Sequence, residues 1–147
     1  MGTISKRHPQ SIVKQPLQNT TDVGNFAEDL AQHFLEKKGL CLIEKNFVTY
    51  DLQGKKNGEI DLIMRDQTHL VFVEVKSRKS KQYGDAIEMI STSKRANIIR
   101  TAKYYLVQNQ LYDREYCRFD VVGITPSAEN PQQPKITWIK NAFEVEY

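Results

Sequence analysis

Ligands for a soft metal are scarce in this chain. Its 147 residues hold two cysteines, Cys41 and Cys117, and three histidines, His8, His33 and His69. Neither cysteine belongs to a C-x-x-C pair, and no H-E-x-x-H segment is present, which sets aside the common zinc sites and a disulfide framework. Far apart in sequence, the two cysteines read as small buried residues of a reducing compartment. Long apolar runs are missing as well, so no segment is a candidate membrane span. The start, Met1 to Pro9, lacks the apolar core of a secretory signal. These absences together lead to an expected cytoplasmic location and no membrane partner.

Acid is absent from residues 1–20, which carry Lys6, Arg7 and Lys14 and few apolar side chains. Such a segment cannot offset the entropy of ordering. It is expected to be a disordered basic tail, read equally as a floppy terminus or as a DNA-contacting arm. The whole chain has a formal charge of +3, so residues 21–147 are formally neutral. With 39% hydrophobic and 27% charged residues, they suit one globular domain with a single core.

Within that domain the periodicities are distinct. Thr21-Asp22 is a helix N-cap signal, and Val23, Phe26, Ala27, Leu30, Ala31, Phe34 and Leu35 form an apolar stripe at helical spacing. Gly39 supplies the stop. Glu28 borders the stripe, with Gly24 and Ala31 on its own face, while Asp29, Gln32 and Glu36 make up the outer polar face. Strands are expected over Leu40–Val48, Glu59–Arg65, Leu70–Lys76 and Cys117–Ile124, with a final one at Ile136–Ile139. A second helix is expected from about Ser91 to Asn109, and no internal repeat is present. The order is α-β-β-β-α-β plus a terminal addition, an α/β class in which helices flank a central mixed sheet.

The two strands around Asp66-Gln67-Thr68-His69 carry the chemistry. Pairing Asp66 with His69 sets Met64 against Val71, Leu62 against Val73 and Ile60 against Val75, an apolar face that a one-residue slip would destroy. Continued along the strands, this register opposes Asp61 to Glu74 and Glu59 to Lys76. Opposed like charges are destabilising. Two carboxylates placed so suit a hard divalent cation such as Mg²⁺ or Mn²⁺, and Lys76 then stands where it can orient water or offset charge on a phosphate. The competing view is a solvated face, with Glu59 paired to Lys76. Leu70, Phe72 and Ile63 on the same face favour a buried strand that ends in a site.

Cations surround this acidic centre. Lys76, Arg78, Lys79 and Lys81 fall within one six-residue stretch without acid. Lys55 and Lys56 precede the first strand of the hairpin, and the second helix region, 89–112, has Lys94, Arg95, Arg100 and Lys103 and no acid. An acidic pocket with a basic rim suits a phosphodiester backbone. Tyr83 and Tyr104 are placed to stack on bases, whereas core packing is expected for Tyr105.

Four motifs, Gly24-Asn25-Phe26-Ala27-Glu28-Asp29-Leu30-Ala31, Gly58-Glu59-Ile60-Asp61-Leu62-Ile63, Val71-Phe72-Val73-Glu74-Val75-Lys76 and Arg118-Phe119-Asp120-Val121-Val122, together resemble the YraN-like bacterial proteins over residues 21–143. That family is similar to the PD-(D/E)xK nucleases and, among them, to Holliday-junction resolvases. The resemblance implies a restriction-endonuclease-like fold, with Asp61 and Glu74 as metal ligands, Lys76 as catalytic lysine and Glu28 as a further catalytic acid reaching the site from the first helix. It implies Mg²⁺ or Mn²⁺ as cofactor and DNA as partner, with RNA left open. Because such resolvases act on symmetrical junctions as dimers, a homodimer is worth testing. The expected activity is metal-dependent endonucleolytic cleavage of DNA, branched or damaged DNA included. Lys55, Lys56, Arg78, Lys79, Lys81, Lys94 and Arg95 are the expected backbone contacts. The other reading is a nucleic-acid-binding module without catalysis, acting inside a DNA repair or processing complex.

Overall fold

The first helix, α1 (Thr20–Lys37), owes its end to Gly39. That glycine adopts φ 100°, and its N–H donates to Glu36 O at 3.0 Å while Leu40 N–H donates to Leu35 O at 3.1 Å. Leu35 and Leu40 are both buried, which completes a Schellman stop with its apolar contact. The structure, a computed structural model, describes residues 20–77, 90–127, 129–130 and 132–145. Apart from Thr20, which opens α1, the expected tail of residues 1–20 lies outside the described residues. So do Arg78, Lys79, Lys81 and Tyr83.

After α1 come β1 (Cys41–Tyr50), β2 (Lys56–Asp66), β3 (His69–Ser77), α2 (Thr92–Gln108), β4 (Tyr116–Thr125) and β5 (Lys135–Phe143). The five strands form one sheet in the order β1-β2-β3-β4-β5. Only β3 and β4 are parallel, and α2 lies in the connection between them. This is the α-β-β-β-α-β core with a mixed sheet expected of the restriction-endonuclease-like class, extended by β5. Ser91 caps α2, its side chain accepting from Lys94 N–H at 3.1 Å.

Each face of the sheet carries a core. Ala27, Ala31 and Leu35 of α1 pack on Leu62, Met64, Val71, Val73, Val122 and Ile124. Ile98, Ala102 and Tyr105 of α2 pack on Ile60, Ile63, Leu70, Phe72, Phe119, Val121 and Phe143. Phe34 meets Trp138 edge-on at 6.4 Å, whereas Phe26, two turns earlier on the same stripe, remains 44% exposed. Cys41 is exposed and Cys117 half-buried, both as free thiols. The expectation of two buried cysteines therefore fails for Cys41, because it opens the edge strand, whose first four residues are all exposed. No described helix is long and apolar enough to cross a membrane.

Gly58 fixes how closely α2 lies on β2. A Cβ there would sit 2.2 Å from Thr101 Oγ1 and 2.6 Å from Thr49 Oγ1, so only glycine fits without moving one of them. Asp120, also within a sequence motif, is fully buried but satisfied. It accepts from Arg118 Nε, Trp138 Nε1 and the Asn141 N–H, each at 3.0 Å. It locks the irregular β4–β5 pairing between Phe119 and Val121 and takes no part in the acidic cluster.

The hairpin register is the expected one from Asp66↔His69 to Leu62↔Val73, and there it stops. Asp61 and Glu74 are not ladder partners, nor are Glu59 and Lys76. Asp61 instead turns its carboxylate onto the backbone, Oδ2 accepting from Val75 N–H at 2.8 Å. Side-chain alternation breaks at the same point. Ile60 packs in the α2 core while Leu62 packs in the α1 core, so Ile60 does not share the face of Leu62 and Met64 as the regular pleat required.

Candidate metal centre

That break in β2 brings Glu59 and Asp61 together with Glu28 from α1. One carboxylate oxygen from each of the three lies within 4.8 Å of the others. β1 yields at the same level. Asn46 stands between the pairs Lys45↔Leu62 and Phe47↔Ile60, facing Asp61, and adopts φ 54°. Left-handed backbone in a strand is uncommon for any residue but glycine, although asparagine tolerates it best. The Asn46 side chain favours the charged form of Glu28, and Lys45 pairs with Asp29 one residue along α1. The strand distortion therefore anchors α1 above the acidic residues.

Glu74 approaches from β3. It is 5% exposed, shares a hydrogen bond with Asp61 and has Lys94 Nζ 3.7 Å from its Oε1. Lys76, half-buried two residues on, adds a second positive charge felt by Glu74. Glu59 is held by Lys56. Four carboxylates thus meet where α1, β2 and β3 converge, with Lys56, Lys76 and Lys94 around them.

Burial shows in the protonation of three of them, Glu28, Asp61 and Glu74. Burial, followed by the Asp61 charge, raises the Glu74 carboxyl from the usual 4.5 to about 8, against the pull of Lys94 and Lys76. Glu28 is raised by burial and by Asp61, with the Asn46 side chain and Lys45 opposing. Burial raises Asp61 too, against the Val75 N–H and the Glu74 hydrogen bond. Asp61 and Glu74 titrate as a pair, each raised chiefly by burial. Lys56 is raised chiefly by its bond to Glu59.

A divalent cation fits this set. Its donors are all hard carboxylate oxygens, the type that Mg²⁺ and Mn²⁺ take. Glu28 Oε2 is buried without any hydrogen-bond partner, which costs about 1–3 kcal/mol or more unless something engages it. A cation among the three oxygens would engage the Glu28 carboxylate and favour the charged forms that burial, and then mutual repulsion, disfavours.

Of the site residues expected from sequence, Glu28, Asp61, Glu74 and Lys76 are brought together. Among the described residues, the trio that could hold an ion is Glu28, Glu59 and Asp61, and Glu74 is linked to it through Asp61. Glu59 was hidden by the assumption that the ladder continues, which gave it to Lys76. Its signal was its spacing of two from Asp61 on one strand. Asn46, a poor strand former between Lys45 and Phe47, was the other visible sign. Lys56 and Lys94 line a concavity of about 570 Å³ beside the acids, together with Asn57, Gly58, Glu59, Ser93 and Asn97. Lys55 is exposed in the β1–β2 turn, its N–H bonded to Asp51 Oδ1 at 2.9 Å. Arg95 lines a different concavity, between α2 and the end of β5.

Comparison with known proteins agrees with these motifs. The model of the uncharacterised protein family UPF0102 matches residues 27–124. A UPF0102 protein of Coxiella burnetii is 44% identical over 128 residues, covering 87% of this chain and 97% of its own. One of Colwellia psychrerythraea is 46% identical over 128 residues, covering 85% and 91%. A third, of Legionella pneumophila, is 38% identical over 125 residues, covering 85% and 97%.

Proposed function

The chain belongs to the UPF0102 family, and we propose that it works there as a metal-dependent endonuclease that hydrolyses phosphodiester bonds of DNA. One observation carries the reading: three carboxylates within 4.8 Å, one with a buried and unpartnered oxygen, beside Glu74 and Lys76. A purely structural cluster would be expected to satisfy its buried acceptors.

Glu28, Glu59 and Asp61 would hold the cation, with Glu74 beside them. Bound there, a divalent cation supplies charge for a phosphoryl oxygen and lowers the pKa of water. Lys76, whose charge acts on Glu74, would orient a water or offset negative charge growing on the phosphate. Lys94, 3.7 Å from Glu74, and Lys56, on Glu59, keep these carboxylates in place. Both border a concavity on the β2–α2 side, where they can hold a neighbouring phosphate. Asn46 and Lys45 tie β1 to α1 and so fix where Glu28 stands.

The test is cleavage of single-stranded, duplex, flap and four-way-junction DNA in Mg²⁺, Mn²⁺ or EDTA by wild type, Asp61→Ala and Glu74→Ala. Cutting by wild type alone, abolished by EDTA, is the expected result. Full activity in either variant would sink the proposal. Salt-sensitive binding without cutting would point instead to a binding module inside a repair or processing complex.

A further inference from the structure

Two irregularities in β2 bracket the acidic trio. One is the end of the hairpin ladder at Asp61. The other is Asn57, which stands unpaired between Thr49↔Gly58 and Tyr50↔Lys56. An extra residue of this kind re-aims the side chains around it. In a regular strand Lys56 would share the face of Gly58, yet it is bonded to Glu59 instead. Beyond the extra residue, Gly58 abuts Thr101 of α2 and Ile60 packs in the α2 core. Glu59 and Asp61 alternate with them, and each has a carboxylate oxygen within 4.8 Å of one from Glu28 of α1.

α2 captures that extra residue. The Asn57 carbonyl oxygen accepts from Asn97 Nδ2 at 3.0 Å and from the Arg100 guanidinium, side chains about one turn apart on the helix. The Asn57 side chain is held from β1, its Oδ1 accepting from Thr49 Oγ1 at 2.8 Å. Thr101 Oγ1, fixed on Asn97 O at 2.7 Å, closes on Gly58 immediately after. The same seam brings Lys94, one turn before Asn97, to 3.7 Å from Glu74. Apolar packing alone would seat α2 on the sheet, and Ile98, Ala102 and Tyr105 supply it. Two donors aimed at one carbonyl of an irregular strand do something more specific: they fix where the extra residue sits. Were it to move beyond Glu59, the one-residue slip would turn Glu59 to the α2 face.

We propose that Asn97 and Arg100 are positioning residues of the cation centre, a role that rests on the cation reading above. By holding Asn57 as the extra residue, they keep Glu59 turned towards Glu28 and Asp61. Among the described residues, neither bonds a carboxylate of the centre. They act through the backbone of β2, from the face of the sheet opposite α1. Asn46 does the corresponding work on the α1 side.

The experiment is a Mn²⁺ titration by electron paramagnetic resonance, with thermal melts, of wild type, Asn97→Ala, Arg100→Met, Arg100→Lys and the double variant of Asn97→Ala with Arg100→Met. Trp138→Phe, which loses a hydrogen bond to Asp120 at the β4–β5 end of the sheet, is the control for general destabilisation. Losing the partners that orient a metal ligand costs about tenfold or more in affinity. The double variant should therefore bind Mn²⁺ about tenfold more weakly and each single loss severalfold. Arg100→Lys, which keeps a donor, should stay close to wild type, and Trp138→Phe should bind as wild type does even where its melt falls. Arg100 is exposed, so Arg100→Met should remain folded and decides the matter even if the double variant does not fold. Wild-type affinity in both Asn97→Ala and Arg100→Met would overturn the positioning role. An equal loss in Trp138→Phe would overturn it too, by making the effect one of stability. Failure of the cation reading looks different: wild type then takes up no Mn²⁺, and the positioning role falls with it. Failure of the nuclease reading alone leaves Mn²⁺ binding, and its dependence on Asn97 and Arg100, in place.

Discussion

Replacing Asp61 by asparagine keeps the side-chain shape and takes one negative charge from the middle of four carboxylates. The loss is modest. The Val75 N–H bond at 2.8 Å passes from a charged to a neutral acceptor, a difference of about 1 kcal/mol. The gain is larger. Unit charges at the 4.8 Å that bounds the trio interact by about 3–4 kcal/mol at an effective dielectric of about 20. Part of this repulsion is already relieved by protons, since Asp61 raises both Glu28 and Glu74. The net expectation in EDTA near pH 8 is a variant about 1–2 kcal/mol more stable than wild type. Urea unfolding measures this directly. Added Mn²⁺ should reverse the order, because a ligand at about 100 times its Kd adds about 2.7 kcal/mol to the protein that binds it. An Asp61→Asn protein less stable than wild type in EDTA by more than about 2 kcal/mol, or stabilised equally by Mn²⁺, would refute the reasoning and make Asp61 a structural residue.

Three further outcomes follow from the same geometry. With its folded pKa raised from 4.5 to about 8, Glu74 contributes stability that is complete below about pH 4.5 and lost as pH rises through about 8. In EDTA, wild type should lose a few kcal/mol over that window. Glu74→Gln should lose much less, and equal slopes in urea unfolding at several pH values would contradict this. Gly58→Ala forces a Cβ to within 2.2 Å of Thr101 Oγ1, whose hydroxyl is fixed by Asn97 O at 2.7 Å. It should cost about 1–3 kcal/mol in the same unfolding measurement, and an unchanged midpoint would argue against the close approach. Asn46→Gly keeps the φ of 54° accessible and removes the side chain that favours the charged form of Glu28. It should fold within about 1 kcal/mol of wild type and bind Mn²⁺ severalfold more weakly, and wild-type affinity would deny Asn46 its positioning role.

The turn half of the hairpin, the stop of α1 and the start of α2 were legible because each was over-determined, whereas Thr21-Asp22, expected to cap α1, lie inside it. Leu62 with Val73, and Met64 with Val71, allow one register, while Gly39 stops α1 and Ser91 starts α2. The centre was legible only as a neighbourhood. Reading along a regular ladder assigns Asp61 to Glu74 and Glu59 to Lys76, but pleat arithmetic has no term for a carboxylate that takes a backbone N–H and ends the pairing. The Asp61–Val75 bond is therefore what sequence periodicity missed, and with it the swing of Ile60 to the α2 face and of Glu59 into the acidic trio. Glu28 was placed near the centre by family resemblance more than by its helical position. The reason lies in tertiary structure, since Asn46 and Lys45 of β1 secure α1 there. The exposure of Cys41 was unreadable for a similar reason: nothing in the residues says that β1 lies at the sheet edge.

The most direct test of the acidic cluster as a cation centre is a Mn²⁺ titration followed by electron paramagnetic resonance. Wild type, Asp61→Asn and Glu28→Gln would be compared at pH 8. Wild type should bind saturably, and each variant about tenfold or more weakly, while all three remain folded. Wild type that takes up no Mn²⁺ at millimolar concentration, or variants that bind it equally well, would contradict it.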